Sequence, residues 1–200
     1  MARYRRKSNR KQYATLIMIF LIILAGSLVW LCWKGVGALS SYTGKNIDYD
    51  RIILEAARRN QIDPRLLKAV IWRESRFNPA TVGKAGEIGL MQIMPKQSVV
   101  DWAKAKGRFV PFRGALFDPE LNIEIGSWYL GRAIRRWSKY RDCYALALCE
   151  YNAGLTRANK WKPANPAGNV RQKISIPSTL NYVNDIMDRY ETYKKTWKIK

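Results

Sequence analysis

Histidine is absent from all 200 residues. That absence excludes a Ser-His-Asp triad, a Cys-His dyad, a histidine-ligated zinc and any imidazole acid or base. Chemistry in this chain therefore falls to carboxylates, Lys, Tyr, Ser or Cys. Acids are scarce too: 15 Asp plus Glu stand against 36 Lys plus Arg, a formal net charge of +21. Such a surface attracts polyanions, but no zinc-finger, RNP or basic-zipper pattern accompanies it, so nucleic acid is not the expected partner. Cysteines number three. Cys143 and Cys149 fall six residues apart in a segment that reads as helical, about 9 Å along the axis, which is too far for a disulfide. Both are expected as buried thiols. No alternating strand pattern and no internal repeat is present. What the chain does have is apolar substance: 48% hydrophobic residues, with 8 Trp and 11 Tyr, rule out a disordered polymer. The length suits one modest domain plus an appendage.

The appendage is N-terminal. Ala14 to Trp33, ATLIMIFLIILAGSLVWLCW, is an uncharged run that as a helix is about 30 Å long, one bilayer core. Arg3, Arg5, Arg6, Lys7, Arg10 and Lys11 precede it with no acid among them. The positive-inside rule then places residues 1–13 in the cytoplasm and everything after Trp33 outside, with Trp30 and Trp33 as interfacial anchors. The run is longer than the apolar core of a cleaved signal peptide, so an uncleaved, single-pass inner-membrane anchor over 14–33 is expected. Cys32 becomes a membrane-buried thiol. Residues 34–46, KGVGALSSYTGKN, read as a flexible tether. Without the first 33 residues the chain keeps 30 of its basic residues and all 15 acids.

From Ile47 onward the pattern is helical, and the expected fold class is all-α, one helical domain over 47–200 behind the single transmembrane helix. Ile52, Ile53, Leu54, Ala56 and Ala57 follow Asp48 or Asp50 as cap. Asp63-Pro64 opens a second helix whose core face is Leu66, Leu67, Val70 and Ile71. It is expected to fray at Ser75 to Asn78, ahead of Pro79, leaving Glu74 on its last turn and facing a loop. A helix is expected through LMQIM and, after Pro95, through VVDWAKAK. Asp118-Pro119 starts a long helix up to Tyr140 with Leu121, Ile125, Trp128, Tyr129, Ala133 and Ile134 as its apolar stripe. CYALALCEYN forms another, stopped by Gly154. Pro177 leads into a last helix carrying Tyr182, Val183, Ile186, Met187 and Tyr190.

Four segments carry residues suited to chemistry: ESRFNP at 74–79, GLMQIMP at 89–95, EYNAG at 150–154 and NYV at 181–183. Taken singly, each has a plain structural explanation. A Glu at a helix end is usually solvated, Met91 and Ile93 suit a core, and Gly154 is a helix stop. Taken together, in this order and spacing, they resemble the catalytic domain of the lytic transglycosylases, the goose-type-lysozyme-like enzymes that cleave peptidoglycan. The resemblance runs from residue 47 to about 193.

The resemblance implies a lysozyme-like fold with Glu74 as single acid and base. In such an enzyme Glu74 protonates the oxygen between N-acetylmuramic acid and N-acetylglucosamine, then takes the proton of the muramic acid C6 hydroxyl. That hydroxyl closes on C1 and leaves a 1,6-anhydro end without consuming water. Substrate contacts fall to Met91, Gln92, Tyr151, Asn152 and Tyr182. No cofactor or metal is implied; the partners are peptidoglycan strands and, through the anchor, the bacterial inner membrane, with the catalytic domain on its periplasmic or outer side. The physics asks for a carboxyl kept protonated near neutral pH by an apolar pocket, for which Phe77, Met91 and Ile93 are candidate walls.

The sequence departs from the family pattern in places. Many relatives carry a Ser nine residues after the catalytic Glu, and here that residue is Gly83. Glu87 and Glu150 stand where relatives commonly have small residues, and Ser178 where they often have Glu. Glu87 and Glu150 are thus candidates for a second carboxylate, although a solvated loop and a surface ion pair are the simpler expectations. A second carboxylate in the cleft would suit a hydrolytic muramidase. A non-catalytic wall-binding scaffold is the alternative from another class.

Overall fold

The computed structural model of the chain describes Leu16, Met18, Gly26, Ser27 and residues 47–199. Those first four residues are helical. The rest of the expected tail, anchor and tether, including Cys32, Trp30 and Trp33, lies outside the described residues. Among the described residues no helix is long and apolar enough to cross a membrane. The chain divides into two compact units, Met1–Ile47 and Asp48–Lys200, and the second holds everything that follows.

Among its described residues that unit has seven helices: α1 Tyr49–Asn60, α2 Pro64–Ser75, α3 Ser98–Lys106, α4 Pro119–Arg136, α5 Cys143–Ala153, α6 Leu155–Trp161 and α7 Pro177–Thr196. Short 3-10 turns lie at Arg113–Phe117 and Arg171–Lys173. The architecture is all-α, and β structure among the described residues amounts to two isolated bridges, Val82 to Ile88 and Ile88 to Ile93. Local signals set most helix starts. Asp48, Asp63 and Asp118 each accept a hydrogen bond from a first-turn backbone N–H, satisfying donors that a helix end otherwise leaves unpaired. Pro64, Pro119 and Pro177 sit where a missing N–H is harmless.

Helix α5 is the centre. Ala145, Leu146, Ala147, Leu148 and Cys149 are buried in succession, the pattern of a helix covered on every side. It packs against α4, α6 and α7, while α2 lies along α7 and α1 against α4. Cys143 and Cys149 are both free thiols, the second fully buried. Leu66, Leu67, Val70 and Ile71 form the α2 core face as expected, each such side chain contributing roughly 1.5–3 kcal/mol by leaving water.

Three expectations are corrected. GLMQIM is a tight turn, not a helix: Gly89 has φ 80° and Gln92 φ 48°, and Ile88 and Ile93 exchange backbone hydrogen bonds of 3.0 and 2.9 Å across it. Left-handed residues cannot continue a right-handed helix. Helix α4 ends at Arg136, because Trp137 leaves helical geometry at φ −96° and ψ 7°. Its buried face runs through Asn122, Ile123, Ile125, Gly126, Ser127, Leu130, Gly131 and Ala133, leaving Leu121, Trp128, Tyr129 and Ile134 only partly covered. Helix α6 had no counterpart in the sequence pattern.

Candidate active site

Glu74 is the next-to-last residue of α2, just before Arg76 and Phe77, which both turn left-handed at φ 55° and 63°. The reversal ends the helix and leaves the Glu74 side chain facing the loop that follows. Tyr182, from α7, donates a 2.6 Å hydrogen bond to Glu74 Oε1. Because α2 and α7 are packed side by side, this bond is fixed by the core and not by loop geometry. Trp72, two residues before, is held between the guanidinium groups of Arg76 and Arg189 at 3.4 and 3.6 Å from its ring, a second tie between the two helices.

Burial pushes the Glu74 carboxyl up from 4.5 to about 7. The Tyr182 hydrogen bond and the charge of Arg73 oppose that rise, and the charge of Glu87 adds to it. Arg73 is itself paired with Asp185 at 3.0 Å, so its field is partly spent elsewhere. In a chain of net charge +21, desolvation still decides the protonation state. Tyr182 and Tyr151 are both held well above the ordinary phenol range, by burial first and by the charge of Glu74 second; they remain donors.

The loop after α2 is the opposite wall. Asn122 in α4 pins it: its Oδ1 accepts from Met91 N at 2.8 Å, and its Nδ2 donates to the Ile88 and Leu116 carbonyls at 2.8 and 2.7 Å. The Met91 side chain is fully buried, lying so close to Gly126 that a Cβ there would stand 2.5 Å from its sulfur. What Met91 offers the site is its backbone carbonyl, which accepts the Tyr151 hydroxyl hydrogen bond at 2.9 Å. Gln92 Nε2 donates to the carbonyls of Gly89 at 2.9 Å and Thr81 at 3.2 Å. Ile93 is buried behind this turn, and Phe77 packs on Tyr49 with ring centroids 5.9 Å apart.

Beyond Tyr151 a cavity of about 340 Å³ continues, lined among others by Gln92, Tyr129, Arg132, Glu150 and Leu155. Its Glu150 carboxylate accepts from Trp137 Nε1 at 2.8 Å and pairs with Arg136 at 3.2 Å, which is the ion pair expected for it. Glu87 differs. Its Oε2 accepts from Ala85 N at 3.0 Å, and its charge is felt at Glu74. Asn152 is exposed and accepts from Thr179 at 2.9 Å. The structure therefore brings Glu74, Tyr182, Tyr151, Gln92 and Glu87 to one side of the domain, with Asn152 and Glu150 occupied by other bonds. Sequence reading missed Asn122; the signal was a lone amide in the otherwise apolar face of α4.

The family model described as Transglycosylase SLT domain matches residues 51–174. The chain belongs to this family. Glu74, the GLMQ turn and Tyr151 all fall inside the matched stretch. Over 83 residues it is 39% identical to the membrane-bound lytic murein transglycosylase C of Edwardsiella ictaluri, covering 41% of this chain and 23% of that protein. The corresponding protein of Mannheimia succiniciproducens is 40% identical over the same shares. The matched region thus spans about a quarter of those relatives' length. Among solved structures, the 70 kDa soluble lytic transglycosylase from Escherichia coli is similar with a TM-score of 0.66 and 27% identity, over 74% of this chain and 24% of that one. The complex of a 70 kDa soluble lytic transglycosylase with bulgecin A gives 0.67 and 27% over 78% and 25%. Transglycosylase Slt from Pseudomonas aeruginosa, at 23% identity and a TM-score of 0.67, shows the shared fold.

Proposed function

We propose that this chain is a peptidoglycan lytic transglycosylase that cleaves the β-1,4 bond between N-acetylmuramic acid and N-acetylglucosamine, forming 1,6-anhydro ends, with Glu74 as acid and base. The observation that carries the reading is one carboxyl, buried and raised to about 7, hydrogen-bonded at 2.6 Å by a tyrosine from another helix. A group with that pKa is divided between its two forms near neutral pH, so it can give a proton and take one back in the same cycle.

The position of Glu74 supports the following steps. Neutral Glu74 protonates the leaving glycosidic oxygen. The carboxylate that remains is stabilised by the Tyr182 O–H, and its desolvation makes it a stronger base toward the muramic acid C6 hydroxyl than a carboxylate in water. The C6 oxygen attacks C1, its proton passes to Glu74, and the enzyme returns to its starting state. Gln92 and Tyr151 line the cleft for sugar. The names of the relatives, membrane-bound lytic murein transglycosylases, support both the substrate and an association with the membrane. For this chain the association falls to the apolar stretch 14–33, which sets the domain on the outer side of a bacterial inner membrane.

Mass spectrometry of the fragments released from purified peptidoglycan tests the reading. The full chain is expected to give products lighter by one water than hydrolysis products, and the Glu74→Gln variant none. Reducing ends at full mass overturn it in favour of a muramidase. Release that is equally absent from both proteins overturns it in favour of a wall-binding scaffold.

A further inference from the structure

The loop between α2 and the GLMQ turn contains a feature that the acid-base role of Glu74 does not use. A Cβ at Gly83 would overlap the Glu87 carboxylate and stand 2.7 Å from Gln92 Oε1. Two acceptor oxygens therefore converge on the space above one glycine. Their orientations are fixed from behind. The Gln92 amide nitrogen is directed to the Gly89 and Thr81 carbonyls, which leaves Oε1 facing Gly83. The Glu87 Oε2 that faces Gly83 accepts from the Ala85 N–H, 3.0 Å away, and the Glu87 backbone carbonyl accepts from Gly83 N at 2.9 Å.

The Glu87 charge has no matching cation. Among the described residues Glu87 enters no ion pair, although the chain holds 36 Lys plus Arg. A carboxyl group has several hydrogen-bonding sites on its two oxygens; the protein supplies Glu87 with one partner, Ala85 N. Of these two oxygens only Glu87 Oε2 has a donor, Ala85 N, so a group that donates to both adds bonds that the protein leaves unmade.

We propose that Glu87 and Gln92 Oε1, brought together over Gly83, form an acceptor pair that binds a hydrogen-bond donor of the glycan, an amide N–H or a hydroxyl of an N-acetylated sugar. The assignment rests on the glycan-cleaving reading above and gives it a positioning element beside the acid. Gly83 is part of the device, since any side chain there fills the space that the Glu87 carboxylate occupies. The pair makes Glu87 an orienting contact on substrate and leaves proton transfer to Glu74.

Calorimetric binding of tetra-N-acetylchitotetraose to the full chain carrying Glu74→Gln, which cannot turn it over, isolates the contact. Adding Glu87→Ala is expected to weaken binding about ten- to a hundred-fold, the loss typical of a charge-assisted hydrogen bond. In the active background the same change raises KM by a similar factor with a smaller effect on kcat. The paired change Gly83→Ser with Glu87→Ala places a hydroxyl in the vacated space and is expected to recover binding to within a few-fold. Unaltered binding in both Glu87→Ala and Glu87→Gln overturns the proposal, as does a paired variant no stronger than Glu87→Ala, which would mean a general loop defect. Cleavage by the parent chain reports separately on the reading it rests on: weak binding by Glu87→Ala in a chain that releases no anhydro fragments supports the acceptor pair and overturns the lytic activity.

Discussion

Replacing Glu74 by Gln is expected to stabilise the protein at alkaline pH and to change little at acid pH. The unfolded carboxyl ionises near 4.5, the folded one near 7. Below pH 4.5 both states hold the proton, and the stability of the neutral pocket is fully present. As pH rises from 4.5 to 7 the unfolded chain releases its proton first, so stability falls; above 7 both are ionised and the loss is complete. A shift of that size at about 1.4 kcal/mol per pH unit corresponds to about 3 kcal/mol. Gln never ionises, and its Oε1 accepts the Tyr182 bond as the carboxyl does. Urea unfolding of both proteins at pH 4 and pH 8 reads the effect as a gain of about 3 kcal/mol that appears only at pH 8. In heat the same difference is roughly 6–12 °C for a domain of this size. A difference equal at the two pH values, or a Gln variant less stable at pH 8, refutes the argument that burial governs Glu74.

Two further outcomes follow from single contacts. Tyr182→Phe removes a bond that favours the carboxylate, so the alkaline limb of the cleavage rate is expected to move above pH 7; a pH-rate profile with an unmoved or lowered limb contradicts this. Asn122→Ala strips the partners of Met91 N and of the Ile88 and Leu116 carbonyls, a loss of about 2–4 kcal/mol for buried groups left unpaired. Denaturant unfolding measures that loss, and a change under about 0.5 kcal/mol shows that the turn is held by other means.

Much of the domain was legible because its signals are local. Asp63-Pro64 and Asp118-Pro119 cap helices where caps were expected, and the Arg76 and Phe77 reversals end α2 at Ser75, one residue after Glu74. The proximity of Glu74 and Tyr182 was legible only through the order of whole motifs, since 108 residues separate them. The GLMQ turn was misread because its apolar spacing mimics a helix. Its real determinants are a long-range amide, Asn122, and a small residue, Gly126, that makes room for Met91. Helix α6 escaped because it is short and offers only Ala158 and Trp161 to the core. Glu87 looked like a solvated loop acid, and only the empty position at Gly83 shows what its carboxylate occupies.

The proposed chemistry depends on a carboxyl at position 74 that is half protonated near neutral pH. NMR titration of the side-chain carboxyl carbons of the full chain, with the Glu74 resonance assigned by its loss in the Glu74→Gln variant, measures that directly. A midpoint near 7 is expected. A midpoint between about 4 and 5, where a solvated Glu titrates, would contradict it.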